Sequence, residues 1–337
     1  MIVLLLPLVV AILLLVEAPP RYPVRKAPNA MQERLYQRLT DGGLSGDELA
    51  TVGALTLGYK EELDKDLKRH FQASGAAHVL AVSGLHTGII YGIVLGLLTL
   101  GGRIRPLHEE WFKRGLLSAT VIVVMWGYAW LTGMTPSVVR AVTMVTIFEI
   151  GRMCYRQAFS LNTIAAAAVL ILLVHPTDLW SVSFQLSFAA TAAIVILVKS
   201  LTPTLHRPKN IWHTVGFYFL GIILVSIAAQ LGTLPITMYY FKQVSTYFLL
   251  ANLIVLPLAS VLVPCGLISI ALGGSTAGVL FSKVTWGLAW LMNHSVAWIE
   301  RLPGSTVPAN VNGRMIAVYY VIFIIFCIIW TKTEQKS

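Results

Sequence analysis

Long runs of apolar residues, separated by short polar stretches, dominate this chain. The runs at residues 116–131, 184–198, 248–272 and 315–330 approach or exceed the roughly 20 apolar residues that an α-helix needs to cross a bilayer. The pattern therefore predicts an all-α polytopic membrane protein, built as a bundle of about ten transmembrane helices. These segments begin near Ile2, Ala77, Gly115, Ser137, Ser160, Ser181, Val215, Tyr247, Ala277 and Met315.

The first apolar run, residues 1–16, predicts an N-terminal transmembrane anchor. A signal peptide is the alternative, but Met1 supplies no basic region and Glu17-Ala-Pro-Pro is a poor cleavage site. Residues 17–75 then form a long loop, which we expect outside the cytoplasm. Residues 76–331 form the main membrane domain, and residues 332–337 form a short tail.

Residues 17–75 carry their own helical signals. The hydrophobic periodicity predicts three short amphipathic helices, at about residues 30–39, 46–58 and 61–71. In the last of them, Leu63, Leu67 and Phe71 recur at i, i+4 and i+8 and form one apolar face. Such helices would lie in the membrane interface or cap the outer mouth of the bundle.

Composition supports the membrane prediction, and charge adds an orientation. The chain is 56% hydrophobic and 12% charged, whereas a soluble domain is about a quarter charged. Its net charge is +10, although residues 17–75 are neutral with nine basic and nine acidic residues. With the long loop 17–75 left out of the count, the loops on one side of the ten spans receive twelve basic residues and those on the other side three. Basic loops mark the cytoplasmic side, so both termini are predicted to be cytoplasmic. Attraction of a polyanion is a second interpretation of the same charge.

Polar residues at the start of the second span are the first candidate site. On a helix, Ser83, His86 and Thr87 share one arc, and four glycines at intervals of four residues lie nearly opposite. Small residues at this spacing let helices approach closely, so we expect helix packing at Gly84, Gly88, Gly92 and Gly96. The polar arc would line a cavity. A buried histidine bonded to a neighbouring helix and a nucleophilic Ser–His pair are the alternatives.

Arg140 is the second candidate. It follows Ser137, a plausible helix cap, and falls in the first turn of the next span. An arginine there either reaches back to the membrane surface or lines a passage for an anion. Glu149 lies about half a turn away around the same helix, so Arg152, three residues on, is its expected partner.

Two further polar clusters complete the candidates. Gln185 and Ser187 belong to a run in which polar and apolar residues alternate. Gln230 and Asn252 lie near prolines that interrupt apolar helices, and broken helices at membrane depth often line a cavity. No motif for a metal, a nucleotide phosphate or another cofactor is evident, so none is predicted.

These four clusters, in this order, resemble the ComEC-type competence family of inner-membrane DNA channels. The matching strings are HVLAVSGLHTG (78–88), PSVVRA (136–141), HPTDLWSVSFQLSFAA (175–190), AQLGTLP (229–235) and LLANLIVLPL (249–258). The resemblance implies passage of single-stranded DNA across the cytoplasmic (inner) membrane during natural transformation, with residues 76–331 as the channel domain. It covers residues 46–272 best, and we see neither the oligonucleotide-binding domain nor the nuclease-like domain of full-length relatives.

The resemblance also implies roles and partners. Ser83, His86, Thr87, Arg140, Gln185, Ser187, Gln230 and Asn252 would line the DNA path. The expected partners are single-stranded DNA, membrane lipids, a DNA receptor, a cytoplasmic helicase that supplies the driving force, and a separate nuclease. A homodimer stays open. Transport of another anionic solute, an intramembrane hydrolase built on Ser83 and His86, and a non-transporting remnant are the competing hypotheses.

Overall fold

The computed structural model describes residues 29–80, 82–99, 111–154, 161–201 and 211–334. These residues form twelve α-helices, one 3-10 helix at Pro176–Trp180 and two short strands. The predicted anchor at residues 1–16 lies outside the described residues. The helices are α1 (Ala30–Asp41), α2 (Gly46–Leu57), α3 (Lys65–Ser74), α4 (Gly84–Thr99), α5 (Trp111–Leu131), α6 (Pro136–Met153), α7 (Leu161–Val174), α8 (Val182–Leu201), α9 (Ile211–Phe241), α10 (Phe248–Leu272), α11 (Thr276–Glu300) and α12 (Gly313–Glu334).

The helical class predicted from the apolar runs is confirmed, because each predicted segment from residue 77 onward contains a helix. The number of membrane spans is a separate matter. Among the described residues, two helical stretches, His213–Phe241 and Phe248–Leu272, are long and apolar enough to cross a bilayer. Five further apolar helices are shorter. The count of ten spans therefore stays a prediction.

One element was missed. Strand β1 (Gln243–Ser245) pairs antiparallel with β2 (Thr306–Pro308), and Val244 lies opposite Val307. Three residues are too few to show the alternating pattern by which a strand is recognised in a sequence. The ribbon is made by residues some sixty positions apart, so no local hairpin signal marks it.

The chain divides into two compact units. Unit 1 comprises Phe159–Leu253 and Thr306–Ser337, and unit 2 comprises Arg25–Ala158 and Ile254–Ser305. Each unit therefore combines residues that are distant in the sequence. Helix α10 contributes its first residues to unit 1 and the remainder to unit 2.

In unit 2, the segment that precedes α4 is packed core. The three predicted helices are present, and Leu63, Leu67 and Phe71 are buried as the apolar face requires. Helix α2 differs from the prediction, because all its residues from Leu49 to Leu57 are buried and only its first residues reach solvent. The Thr51 hydroxyl donates to Asn293 Oδ1 of α11 at 2.9 Å. An interfacial position is therefore wrong for α2, which is enclosed by other helices of its unit.

Helix α1 packs on α2 through an aromatic ring. Tyr36 lies against Gly53, where an added Cβ would come within 2.6 Å of the ring, and it stacks on Tyr59 with centroids 4.3 Å apart. Burial and the nearby negative charge of Glu62 raise the pKa of the Tyr36 hydroxyl to about 12. Gly53 is therefore needed because its missing side chain makes room for the ring.

In unit 1, α8 and α9 approach each other at Gly232. An added Cβ at this glycine would lie 2.6 Å from the Ala193 Cβ and 2.7 Å from the Ala189 carbonyl oxygen. Small residues on both helices make this separation accessible. The contact joins two of the sequence strings, because Ala189 lies in one and Gly232 in another.

Candidate functional site

The candidate site in unit 2 begins where α4 begins. The Ser83 carbonyl accepts hydrogen bonds from the Thr87 N–H at 3.1 Å and the Thr87 hydroxyl at 3.2 Å. Ser83 is therefore the capping residue of α4, and the predicted start near Ala77 is seven residues too early. The described residues between 77 and 83 form turns and irregular chain instead of helix.

The His86 ring is fixed by this cap. The Ser83 N–H donates to His86 Nδ1 at 2.9 Å, and the Ser83 hydroxyl oxygen lies 3.0 Å from the same nitrogen. Because Nδ1 accepts the backbone N–H, the hydrogen of a neutral ring resides on Nε2. Among the described residues Nε2 is buried and has no hydrogen-bond partner. His86 thus holds a buried N–H donor that its own unit does not use.

The same geometry bears on the nucleophilic Ser–His pair. The Ser83 hydroxyl is within hydrogen-bond distance of His86, as a general base requires. However, the Nδ1 lone pair also accepts the Ser83 N–H, which weakens it as a base. The contact joins residues three apart at a helix start, where such bonds serve as capping interactions.

Helix α6 begins beside α4. Thr135 is its capping residue and Pro136 its first residue, so Ser137 lies inside the helix and the predicted Ser137 cap is wrong. The Ser137 hydroxyl instead donates to the Val82 carbonyl, next to the α4 cap, at 2.6 Å. The N-terminal ends of α4 and α6 are therefore neighbours. Each end carries partial positive charge from backbone N–H groups without helical partners.

Arg140 adds a full positive charge to these paired N-termini. It is 2% exposed and is the fifth residue of α6. A cation near a helix N-terminus is disfavoured by the helix dipole, and its burial adds a desolvation cost. An anion bound at these helix starts would be favoured by their dipoles and by the Arg140 charge.

Glu149 is too far from Arg140 to pair with it. It is the one buried carboxylate among the described residues, nine positions after Arg140 and hence about 14 Å further along α6. Its oxygens accept from the Tyr91 hydroxyl at 2.6 Å, the Ser118 hydroxyl at 2.6 Å and Arg152 at 2.9 Å. The predicted Glu149–Arg152 pair is confirmed. The Glu149 carboxylate therefore links α4, α5 and α6 through these hydrogen bonds.

The glycine ladder faces away from the described residues. Gly84, Gly88, Gly92 and Gly96 are exposed, and a Cβ added at any of them would meet no atom within 4 Å. No described residue makes the expected packing with this face, which stays a prediction, and His86 and Thr87 are the buried side. Apart from its few polar residues the helix is apolar on every side, so its pattern does not determine which arc packs inward.

The candidates of unit 1 make a separate set. Gln185 is buried and donates to the Leu179 carbonyl at 3.0 Å, and Ser187 is half-buried on the same helix. Asn252 is buried and donates to the Ser226 hydroxyl at 3.0 Å, which joins α10 to α9. Gln230 lies half-buried one turn after Ser226.

The structure thus assembles the predicted residues in two places. Ser83, His86, Thr87 and Arg140 share the paired helix starts of unit 2. Gln185, Ser187, Gln230 and Asn252 lie in unit 1.

Sequence reasoning missed Ser118, Ser226 and the Ser137–Val82 bond. A lone serine in an apolar run carries no signal of its partner, because serine also bonds to its own helix. In the described residues, no group of three His, Cys, Asp or Glu residues is placed to hold a metal ion.

Comparison with known proteins shows several relatives. The chain is 28% identical over 282 residues to ComE operon protein 3 of Bacillus subtilis, covering 82% of this chain and 33% of that protein. It is 26% identical over 243 residues to Recombination protein 2 of Haemophilus influenzae, covering 70% of this chain and 29% of the relative. An uncharacterized protein of Escherichia coli, YcaI, is 27% identical over 218 residues, covering 63% of this chain and 27% of that protein.

The chain spans only about a third of the length of these relatives. No solved structure matches it significantly. The family model described as Competence protein matches residues 55–333, which includes every helix from α3 to α11 and most of α12. The chain therefore belongs to the competence protein family.

Proposed function

We propose that this chain carries single-stranded DNA across the cytoplasmic membrane during natural transformation. Family membership supports a role in competence, and the apolar stretches His213–Phe241 and Phe248–Leu272 support a membrane location. The named relatives are much longer, so this role is proposed for the part of them that the chain matches.

The observation that carries the proposal is the pair of helix N-termini in unit 2. Two helix starts, the buried Arg140 and the unused His86 Nε2–H all favour an anion. Helix N-termini bind phosphate groups through the same combination of N–H donors and dipole. A phosphodiester carries one negative charge per nucleotide and is the same for every base, so such a contact serves any sequence.

Within this proposal the residues have distinct roles. Arg140 and His86 contact the phosphodiester, and Ser83 and Thr87 hold the α4 cap that orients His86. Gln185, Ser187, Gln230 and Asn252 supply hydrogen bonds along the path in unit 1. The glycine face of α4, which is open, is available to lipid or to a second copy of the chain.

The wider arrangement is also part of the proposal. About ten helices cross the membrane, both termini are cytoplasmic, and residues 17–75 lie outside. Translocation by this chain is passive guidance, so a cytoplasmic helicase supplies the driving force. A DNA receptor delivers the strand, and a separate nuclease acts on its complement.

Transformation of a host that lacks the chromosomal copy tests the proposal. The host is complemented with the wild-type chain, His86→Ala, Arg140→Ala and, as a control, Ser295→Ala, whose hydroxyl bonds only within its own helix at 2.7 Å. Membrane amounts are matched by immunoblot. We expect the first two variants to depress transformation and the control to leave it unchanged. Normal transformation in both variants would overturn the site, and normal transformation without the chain would overturn the function.

A hydrolase is the second candidate, because the Ser83 hydroxyl lies 3.0 Å from His86 Nδ1. A serine-directed fluorophosphonate probe separates the two functions. Labelling of the wild-type chain that is lost in Ser83→Ala would favour the hydrolase. Absence of labelling is expected if Ser83 is a helix cap.

A further inference from the structure

Pro235 lies inside the longest helix of the described residues, which continues through it, although the sequence predicts an interruption there. Helix α9 runs from Ile211 to Phe241 with this proline inside it. Proline has no N–H, so the Leu231 carbonyl, four residues earlier, loses the donor it would have in a regular helix, and the proline ring crowds that turn. In an apolar environment a carbonyl left without a partner is costly, so this turn requires a donor from elsewhere.

Two consecutive tyrosines of α12 supply donors at this turn. The Tyr319 hydroxyl donates to the Leu231 carbonyl at 2.8 Å, and the Tyr320 hydroxyl donates to the Gly232 carbonyl, also at 2.8 Å. Tyr320 is fully buried, and Tyr319 is half-buried. The carbonyl that Tyr319 contacts is the one that Pro235 deprives of its helical partner.

The same turn of α9 is also in close contact with α8. Helix α8 contacts Gly232 so closely that a methyl group there would overlap Ala193. Tyr320 packs in one apolar cluster with Ala189, Ile236 and Ile316. The turn is therefore enclosed between α8 and α12, and the hydroxyl positions are set by packing.

We propose that Tyr319 and Tyr320 are positioning residues for the path in unit 1. Tyr319 supplies the hydrogen-bond donor that Pro235 lacks, so that the turn of α9 before the proline is held in a fixed position. This turn adjoins Gln230, and Ser226, which holds Asn252, lies one turn earlier. The hydrogen bonds of the two hydroxyls thereby fix the positions of the Gln230, Ser226 and Asn252 side chains. The transport consequence rests on the proposed function, whereas the coupling of Tyr319 to Pro235 does not.

The coupling is tested by a double-mutant cycle of Tyr319→Phe and Pro235→Ala, read as thermal unfolding of the full chain in detergent. With Pro235 present, Tyr319→Phe should lower the melting temperature by roughly 2–4 °C, the shift expected for one lost hydrogen bond. In the Pro235→Ala background a backbone N–H again reaches the Leu231 carbonyl. Tyr319→Phe should then lower the melting temperature by about 1 °C or less. Equal losses in both backgrounds would overturn the inference. Tyr218→Phe, at an exposed tyrosine on α9, is the matched control and should be silent.

Transport gives the second readout, at matched protein amounts. Tyr319→Phe should reduce DNA passage, and its effect should disappear when it is compared within the Pro235→Ala background. Thermal coupling without any loss of passage in Tyr319→Phe would overturn the positioning role. If the wild-type chain itself passes no DNA, the proposed function fails, and the thermal cycle still decides whether Tyr319 replaces the missing N–H.

Discussion

The Ser137 hydroxyl donates a 2.6 Å hydrogen bond to the Val82 carbonyl, which places the starts of α6 and α4 side by side. This bond joins residues 55 positions apart, and each of them belongs to a different string of the family pattern. Both helix starts carry partial positive charge, and Arg140 adds a full charge at the fifth residue of α6. The proposed phosphodiester contact depends on this pairing.

Removing the Ser137 hydroxyl should separate the two helix starts. Ser137→Ala leaves the Val82 carbonyl without this donor and should destabilise the chain by about 1 kcal/mol. Because the proposed contact uses both N-termini, DNA passage should fall by more than the folded fraction does. Thermal unfolding and uptake, measured on the same preparations, check this. Ser137→Thr keeps the hydroxyl and should retain passage. Loss of passage in Ser137→Thr, at unchanged stability, would argue against a role for the hydrogen bond.

Arg140 should contribute one ionic contact to DNA. Arg140→Gln removes the charge and keeps a polar side chain, so affinity for single-stranded DNA should fall and its salt dependence should become shallower by about one released ion. Arg140→Lys should preserve most of that slope. Titration of the purified chain with labelled oligonucleotides at several salt concentrations measures both quantities. An unchanged slope in Arg140→Gln would mean that Arg140 does not meet the phosphate backbone.

The Glu149 cluster should be essential for folding. Glu149→Gln leaves the Arg152 guanidinium without its carboxylate, and breaking a partly buried pair of this kind costs about 3–5 kcal/mol. Adding Arg152→Gln should recover part of that loss, because the uncompensated charge is then gone. Chemical unfolding of the two single variants and the double variant measures this. Strictly additive losses would contradict a coupled pair.

Alkaline pH should destabilise unit 2 through Tyr36. Its pKa is raised to about 12, so between pH 10 and 12 the folded chain keeps a proton that the unfolded chain releases. The unfolded state binds fewer protons in this window, so stability falls as the pH rises. Tyr36→Phe has no such proton and should lose less stability over the same range, as followed by the unfolding midpoint against pH. Parallel curves for the two chains would be inconsistent with the raised pKa.

Much of the helical plan could be predicted from the sequence, and the side-chain partners could not. Apolar runs located the helices from α4 onward, and the spacing of Glu149 and Arg152 predicted their pair, because both signals are local. The burial of α2 and the outward glycine face of α4 depend on which helices pack together, and no local pattern encodes that. The same is true of Ser137, whose position favours a helix cap although its partner is Val82.

The residues of the candidate site also divide into those that the sequence indicates and those that it does not. His86, Arg140 and Gln185 were recognised because polar groups in apolar runs are conspicuous. Tyr319 and Tyr320 were not recognised, because a tyrosine in an apolar helix is usually a packing residue. Its role becomes visible only when the carbonyl that accepts its hydrogen bond is known. Pro235 was the available clue: it implies a carbonyl that needs a donor, but it does not say which helix provides one.

Entry of DNA into proteoliposomes tests the central claim most directly. The full chain is reconstituted, and labelled single-stranded DNA inside the vesicles is scored by protection from added nuclease, with duplex DNA and small anions such as nucleotides measured in parallel. The account predicts protected single strands, little duplex and a marked loss in Arg140→Gln. Passage of small anions with exclusion of single strands would contradict it and would identify a transporter of another anionic solute.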